Sequence, residues 1–368
     1  MGTFRRAVAA LLAMLVLASC TSERLLGASS GGAPNLGAPN LPRPTETAAP
    51  LPRELWSVGA DGRLTARQAA NVVQALWPLR ERAMATADEA TLAELSTGEA
   101  AAVAGAFAAQ VRIQPTMSMV HARPETSVEV NLTRASGFPR FFLAQVMTTM
   151  YAPDVADGVP AGSPYVELMV LTRASATEHW RVTLDTGFQG PTFIPFPVDA
   201  TGYTQPAPGQ AGAARLIPLL AAYWQHWAEH GDPPNSPPSD TFGPGYWTDQ
   251  RGRSIAQVRN GTSGGPCGCR TTTTYAAVPS EGSWSFRIYD SGLLRCGSIA
   301  IQQTYEGSFW HRLYQNPART HWDVRIPPGR YTAIRLHSLR ASCVEEFVGP
   351  RLGVVGGDSE TLRATGIR

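Results

Sequence analysis

The apolar period of this chain switches from helical to strand-like twice, in the same order each time, and that limits its fold more than any other feature. Leu64-Thr65 opens an Ala/Arg/Gln-rich run in which Ala70, Val73, Leu76, Trp77 and Leu79-Arg80 fall close to helical spacing. Thr86–Asp88 breaks the run, and Ala90–Ala109 reads as a second, Ala-rich helical region interrupted near Thr97-Gly98. The period then becomes two, at Ser127–Leu132, Arg140–Met150, Tyr165–Thr172 and His179–Leu184, each bounded by Gly, Pro or Ser clusters. The order begins again with a helix over Ala211–His230, stopped by Gly231-Asp232-Pro233-Pro234. Strand-like runs follow at Arg253–Arg259, Arg270–Val278, Trp284–Tyr289, Leu294–Thr304, Tyr331–Leu339 and Leu352–Val355. Helices followed by antiparallel strands, twice over, predict an α+β chain with helices packed on curved antiparallel sheets. Two Trp spacings agree with a duplication: Trp180 and Trp322 lie 142 positions apart, Trp77 and Trp224 147.

The first 20 residues set the compartment. Arg5 and Arg6 precede an apolar stretch, Ala7–Ala18, that is too short to span a membrane and suits an export signal. It ends in Leu17-Ala18-Ser19-Cys20, which resembles the lipobox of bacterial lipoproteins. The resemblance implies cleavage before Cys20, acylation of its thiol and a stable anchor from two or more acyl chains. Loss of residues 1–19 would remove two of the 31 basic residues, leaving 29 against 29 acidic ones, so lipid rather than charge would hold the chain to the membrane. Thr21–Pro52 carries six prolines and a tandem repeat, Gly32–Leu36 then Gly37–Leu41, with no apolar periodicity, as expected of a tether. The organisation expected is a signal peptide over 1–19, a lipidated Cys20 and tether over 20–54, and α+β halves over 55–205 and 206–368.

All 31 basic residues are Arg. Without Lys there is no P-loop lysine, no Schiff-base lysine and no Ser-Lys dyad. A net charge of +2 without a basic run argues against nucleic acid as a partner, and nothing calls for a cofactor.

Besides Cys20, four cysteines lie in the second half: Cys267, Cys269, Cys296 and Cys343. In an exported chain an even number reads as two disulfides. A Cys267–Cys269 bridge would close a small strained ring, so the expectation is that each pairs with one of Cys296 and Cys343. A four-cysteine zinc site fits less well, since one residue rather than two separates the close pair.

Two patterns could carry catalysis. Asn260–Pro266 contains Gly-Thr-Ser263-Gly-Gly-Pro, which resembles the nucleophile turn of trypsin-like proteases. The base it needs is missing, because His121 lacks the small-residue context of that family, and helices rather than strands come first. His226-Trp-Ala-Glu229-His230 resembles an inverted zinc-peptidase helix, with His226 and His230 as ligands and Glu229 as general base. Here the helix ends at His230, and the only acidic pair downstream is Glu345-Glu346. The two His also read as cations favoured by the helix C-terminus. Leu216, Leu220, Tyr223 and Trp227 form a stripe suited to packing on a sheet. Trp310, in Gly307-Ser-Phe-Trp-His311, is the best candidate for an exposed ligand or partner contact.

Helices followed by a curved antiparallel sheet and a Trp-x-Val strand resemble the cystatin/NTF2-like α+β fold. Ala222-Tyr-Trp-Gln225, Gly231–Pro234 and Gly353-Val-Val-Gly356 are similar to uncharacterised actinobacterial lipoproteins. The resemblance implies an envelope protein with a concave sheet, used for binding more often than for chemistry. The function expected is therefore a non-catalytic binding or envelope-assembly module on the extracytoplasmic face of the membrane. Its partner would be an envelope protein or a small ligand. The alternative is a secreted hydrolase using Ser263 or the His226/Glu229/His230 helix.

Overall fold

A computed structural model describes residues 50–58, 63–113, 122–134, 137–150, 164–189, 192–204, 214–231, 241–243, 248, 251–259, 270–278, 284–289, 292–311, 326, 329–346 and 351–368. A short 3-10 turn, Arg53–Trp56, leads to α1 (Ala66–Thr86), α2 (Glu89–Leu95) and α3 (Gly98–Ile113). Thr65 caps α1 through a reciprocal capping box with Gln68: each side chain accepts from the other's backbone N–H, at 3.2 and 2.9 Å. The predicted break is real. Ala87 takes the left-handed conformation (φ 56°), and the Asp88 side chain caps α2 by accepting from Thr91 N–H at 3.1 Å.

Four strands follow as an antiparallel meander: β1 (Ala122–Leu132), β2 (Arg140–Met150), β3 (Pro164–Arg173) and β4 (Arg181–Gln189), side by side in that order. The second half holds α4 (Leu216–His230) and α5 (Arg251–Arg259). Its strands are β5 (Arg270–Ala277), β6 (Trp284–Ile288), β7 (Gly292–His311), β8 (Gly329–Glu346) and β9 (Leu352–Ile367). They form a five-stranded antiparallel sheet ordered β5-β7-β8-β9, with β6 beside β7. The mixed α+β class read from the sequence is therefore correct.

Three cores bind these elements into four layers. Val72, Val73, Leu76 and Trp77 of α1 pack on Phe142, Met169, Leu171 and Val182, one face of the four-stranded sheet. The opposite face, through Leu143, Val166, Leu168, Val170 and Leu184, packs on Trp284, Phe286, Leu294 and Cys296 of the second sheet. The outer face of that sheet is covered by α4 and α5, through the predicted stripe Leu216, Leu220, Tyr223 and Trp227 and through Ile255 and Ala256. Burying each side chain of this kind stabilises by about 1.5–3 kcal/mol. Gln145, within the sheet–sheet core, donates to Ile194 O (2.9 Å) and accepts from Ile194 N–H (2.8 Å), pinning the segment after β4 as a backbone neighbour would.

The structure corrects three expectations. Arg253–Arg259 is part of a helix: Gly252, Ile255 and Ala256 are buried, which is helical spacing, and Gly252 sits so close to the Trp227 ring that a Cβ would reach within 2.4 Å of it. The strands β7, β8 and β9 run well beyond Leu294–Thr304, Tyr331–Leu339 and Leu352–Val355, because cross-strand pairing carries them through residues with little strand pattern. Finally, Cys296 and Cys343 are bonded to each other, not one each to Cys267 and Cys269. They are direct partners in the β7–β8 register, with Cα atoms 4.0 Å apart. That bond also removes the four-cysteine zinc site.

Candidate functional site

Two features on the helix side of the four-stranded sheet stand out, and α1 links them. The first is a buried charge cluster. Arg80, 1% exposed, lies 2.6 Å from Asp185 and 3.5 Å from Glu167, while the Trp77 indole donates to Glu167 at 2.5 Å. Trp77, Arg80 and Glu81 sit three and four residues apart, so one face of α1 presents all of them to the sheet. Asp185 reaches that face only because the β3–β4 register shifts between Val170 and Leu171. Without the shift, Asp185 and Val182 would point to opposite faces. Burial, with Asp185 and Glu81 nearby, pushes the Glu167 carboxyl well above the usual range. Burial raises Glu81 to about 7, against the pull of Arg80. Burial alone would lower the Arg80 guanidinium, but Asp185 and Glu167 more than offset this and raise it. The cluster joins α1 to β3 and β4.

The second feature lies about 20 Å back along α1, at its first turn. A small, open depression is walled by Arg63, Thr133, Arg140, Phe142, Trp180 and Tyr203. Tyr203 donates to Leu64 O at 3.1 Å and the Trp180 indole to Ser57 O at 3.2 Å, so the aromatic walls are fixed by backbone at both sides. On the rim Arg134 pairs with Asp199 at 2.8 Å and lies over the Tyr203 ring. Asp199 is held down at about 2, chiefly by the Thr201 hydroxyl, which donates to it at 2.6 Å.

The residues singled out from sequence are not brought together. Cys20, His121, Ser263, Cys267 and Cys269 lie outside the described residues. On α4 the His226 and His230 rings stack, with centroids 4.4 Å apart, and His230 Nδ1 lies 3.2 Å from His226 O. Glu229 accepts from Gln225 Nε2 at 2.7 Å, and Gln225 Oε1 in turn accepts from Tyr275 N–H on the edge strand β5, also at 2.7 Å. In this arrangement Glu229 orients the residue that caps a sheet edge. No group of three or more His, Cys, Asp or Glu among the described residues could hold a metal ion. Trp310 pairs with Arg330 at the end of the ladder where β7 stops and β8 begins. Trp227 is buried as its stripe predicts, and Trp224 is buried as well.

The sequence reading missed Arg80, Glu167 and Asp185. One signal was available: Glu167 interrupts the apolar run Val166–Leu171, where a charge needs a partner. Compared with protein-family models, with curated proteins and with solved structures, the chain matches none.

Proposed function

We propose that this chain is a lipid-anchored envelope protein of the extracytoplasmic face of the membrane. In this reading it is a non-catalytic binding or assembly module made of two NTF2/cystatin-like halves. The repeated order of helices before an antiparallel meander supports the paired halves. In each, one helix lays a buried Trp (Trp77, Trp224) toward its sheet, near Glu167 of β3 and Arg340 of β8. The anchor rests on Cys20 and its lipobox context.

The observation that carries the binding role is the length of β7, β8 and β9. A strand of 20 residues reaches about 66 Å. The sheet–sheet and helix–sheet cores engage β7 only between Leu293 and Ile301. Beyond them the strands continue as a ribbon with a small core of its own, Tyr305, Ile326, Tyr331, Ile334 and Leu336. The main cores have no need of such an extension, and a partner on the ribbon would use it. Trp310 is on this stretch.

The test is photo-crosslinking in the native membrane, with a benzophenone side chain at Trp310 or, as control, at the exposed Arg67. A discrete adduct at 310 and not at 67, lost in Cys20→Ser, is the expected result. No adduct at 310 would refute the ribbon as the contact element. Labelling of Ser263 by a fluorophosphonate would replace the module with a hydrolase.

A further inference from the structure

We propose that the depression at the start of α1 is a binding site for a small oxyanion, a phosphate or carboxylate group, held by Arg140 with Arg63 beside it. The argument starts from β-sheet register. Arg140 on β2 and Arg173 on β3 are direct cross-strand partners. Phe142 and Leu171, two residues away on the same strands, belong to the helix-side core, so both guanidinium groups emerge on that face. Like charges in this position repel and destabilise the sheet.

Among the described residues neither guanidinium has a carboxylate partner. Arg173 is 3% exposed, and among the described residues its guanidinium donates only to backbone carbonyls: Ser175 O at 3.1 Å, Ala176 O at 2.5 Å and Ser57 O at 3.4 Å. Burial, and Arg140 alongside, hold the Arg173 guanidinium below its usual range. Arg140 makes no hydrogen bond or ion pair among the described residues, and its Nε is buried without an acceptor. Its guanidinium instead lies over the Phe138 ring, 4.8 Å from the centroid. The contrast with Arg134 is close at hand: on the same rim, that arginine has its aspartate.

An arginine stacked on a ring keeps the edge of its planar fork available, the geometry that takes a carboxylate or phosphate oxygen pair. Arg140 lines a depression that also includes a second cation, Arg63, beside the Trp180 and Tyr203 walls. An anion there would meet the unpaired Arg140 and screen it from Arg173. The oxyanion could be free or could be the headgroup phosphate of an anionic lipid.

Thermal unfolding of the full chain in zwitterionic micelles tests this, at constant ionic strength. One titration uses inorganic phosphate and the other dihexanoyl phosphatidylglycerol. A saturable rise in Tm is expected for the unmodified chain. Arg140→Gln should melt higher than the unmodified chain without ligand, since the repulsion is gone, and bind at least about tenfold more weakly. Arg140→Lys keeps the charge and loses the fork, so it should fold with unchanged Tm and bind more weakly than Arg. Saturation by phosphate would assign a free oxyanion; saturation by the lipid alone would assign a headgroup. No saturable shift with either, or equal affinity in Arg140→Gln, would overturn the proposal.

Discussion

Replacing Arg80 by Met isolates what the buried cluster contributes. The substitution keeps most of the side-chain volume in a site that is 1% exposed, so packing changes little. It removes the cation that lies 2.6 Å from Asp185 and 3.5 Å from Glu167. Breaking a buried ion pair on one side typically costs about 3–5 kcal/mol, because the remaining charge is left without compensation. The stranded carboxylate can escape by taking up a proton. For an ordinary carboxyl that costs about 4 kcal/mol at pH 7.5 and only about 1 kcal/mol at pH 5. The expected loss in urea unfolding, followed by far-UV circular dichroism, is therefore about 3–5 kcal/mol at pH 7.5, falling to about 1–2 kcal/mol at pH 5. A loss under about 1 kcal/mol at pH 7.5, or the same loss at both pH values, would refute the account of Arg80 as counter-charge to a buried acid.

Other substitutions and conditions address the rest of the fold. Glu81 and Glu345 both titrate at about 7 in the folded chain, against 4.5 ordinarily, Glu345 through burial. The folded state therefore binds more protons across that window. Urea unfolding should show stability falling as pH rises from about 4.5 to 7, by at most about 1.4 kcal/mol per pH unit for Glu81 and less for the more exposed Glu345. Cys296→Ala with Cys343→Ala opens a loop of 47 residues in sequence separation and should cost up to about 4 kcal/mol in the same measurement, against a parent kept oxidised. Ala87→Gly relieves a left-handed residue at the end of α1 and should raise stability by about 1 kcal/mol, read as an increase in Tm. Gln225→Ala leaves the Tyr275 N–H of the β5 edge without its acceptor and should cost about 1–3 kcal/mol. Glu229→Ala, which only frees the Gln225 amide, should cost less.

Periodicity located most of the elements, and it failed where the deciding interaction was not local. α1 was legible because its stripe and its break each leave a residue-level mark, Val73-Leu76-Trp77-Arg80 and Thr86–Asp88, while the Thr65–Gln68 cap went unread. The α5 segment was not, since Arg253–Arg259 is short enough that its apolar residues fit either period; what decides it is Gly252 under the Trp227 ring, on another helix. β9 could not be followed past Val355 because Gly356-Gly357-Asp358-Ser359 has poor strand propensity, and pairing to β8 makes it a strand. The two polar features on the helix side fall under the same limit. Arg140 and Arg173 are 33 residues apart, and only a β2–β3 register correct to the residue sets them face to face; a slip of one would send one guanidinium to the sheet–sheet core. Asp185 has a stricter requirement, since a regular β4 that keeps Val182 on the helix side would turn Asp185 toward the second sheet, where it would be an unpaired charge. The register shift beside Leu171 prevents that and delivers it to Arg80. A charge at such a position is therefore a clue to an irregular strand, and Asp185, two residues beyond the Trp180-Arg181-Val182-Thr183 run, is where that clue stood.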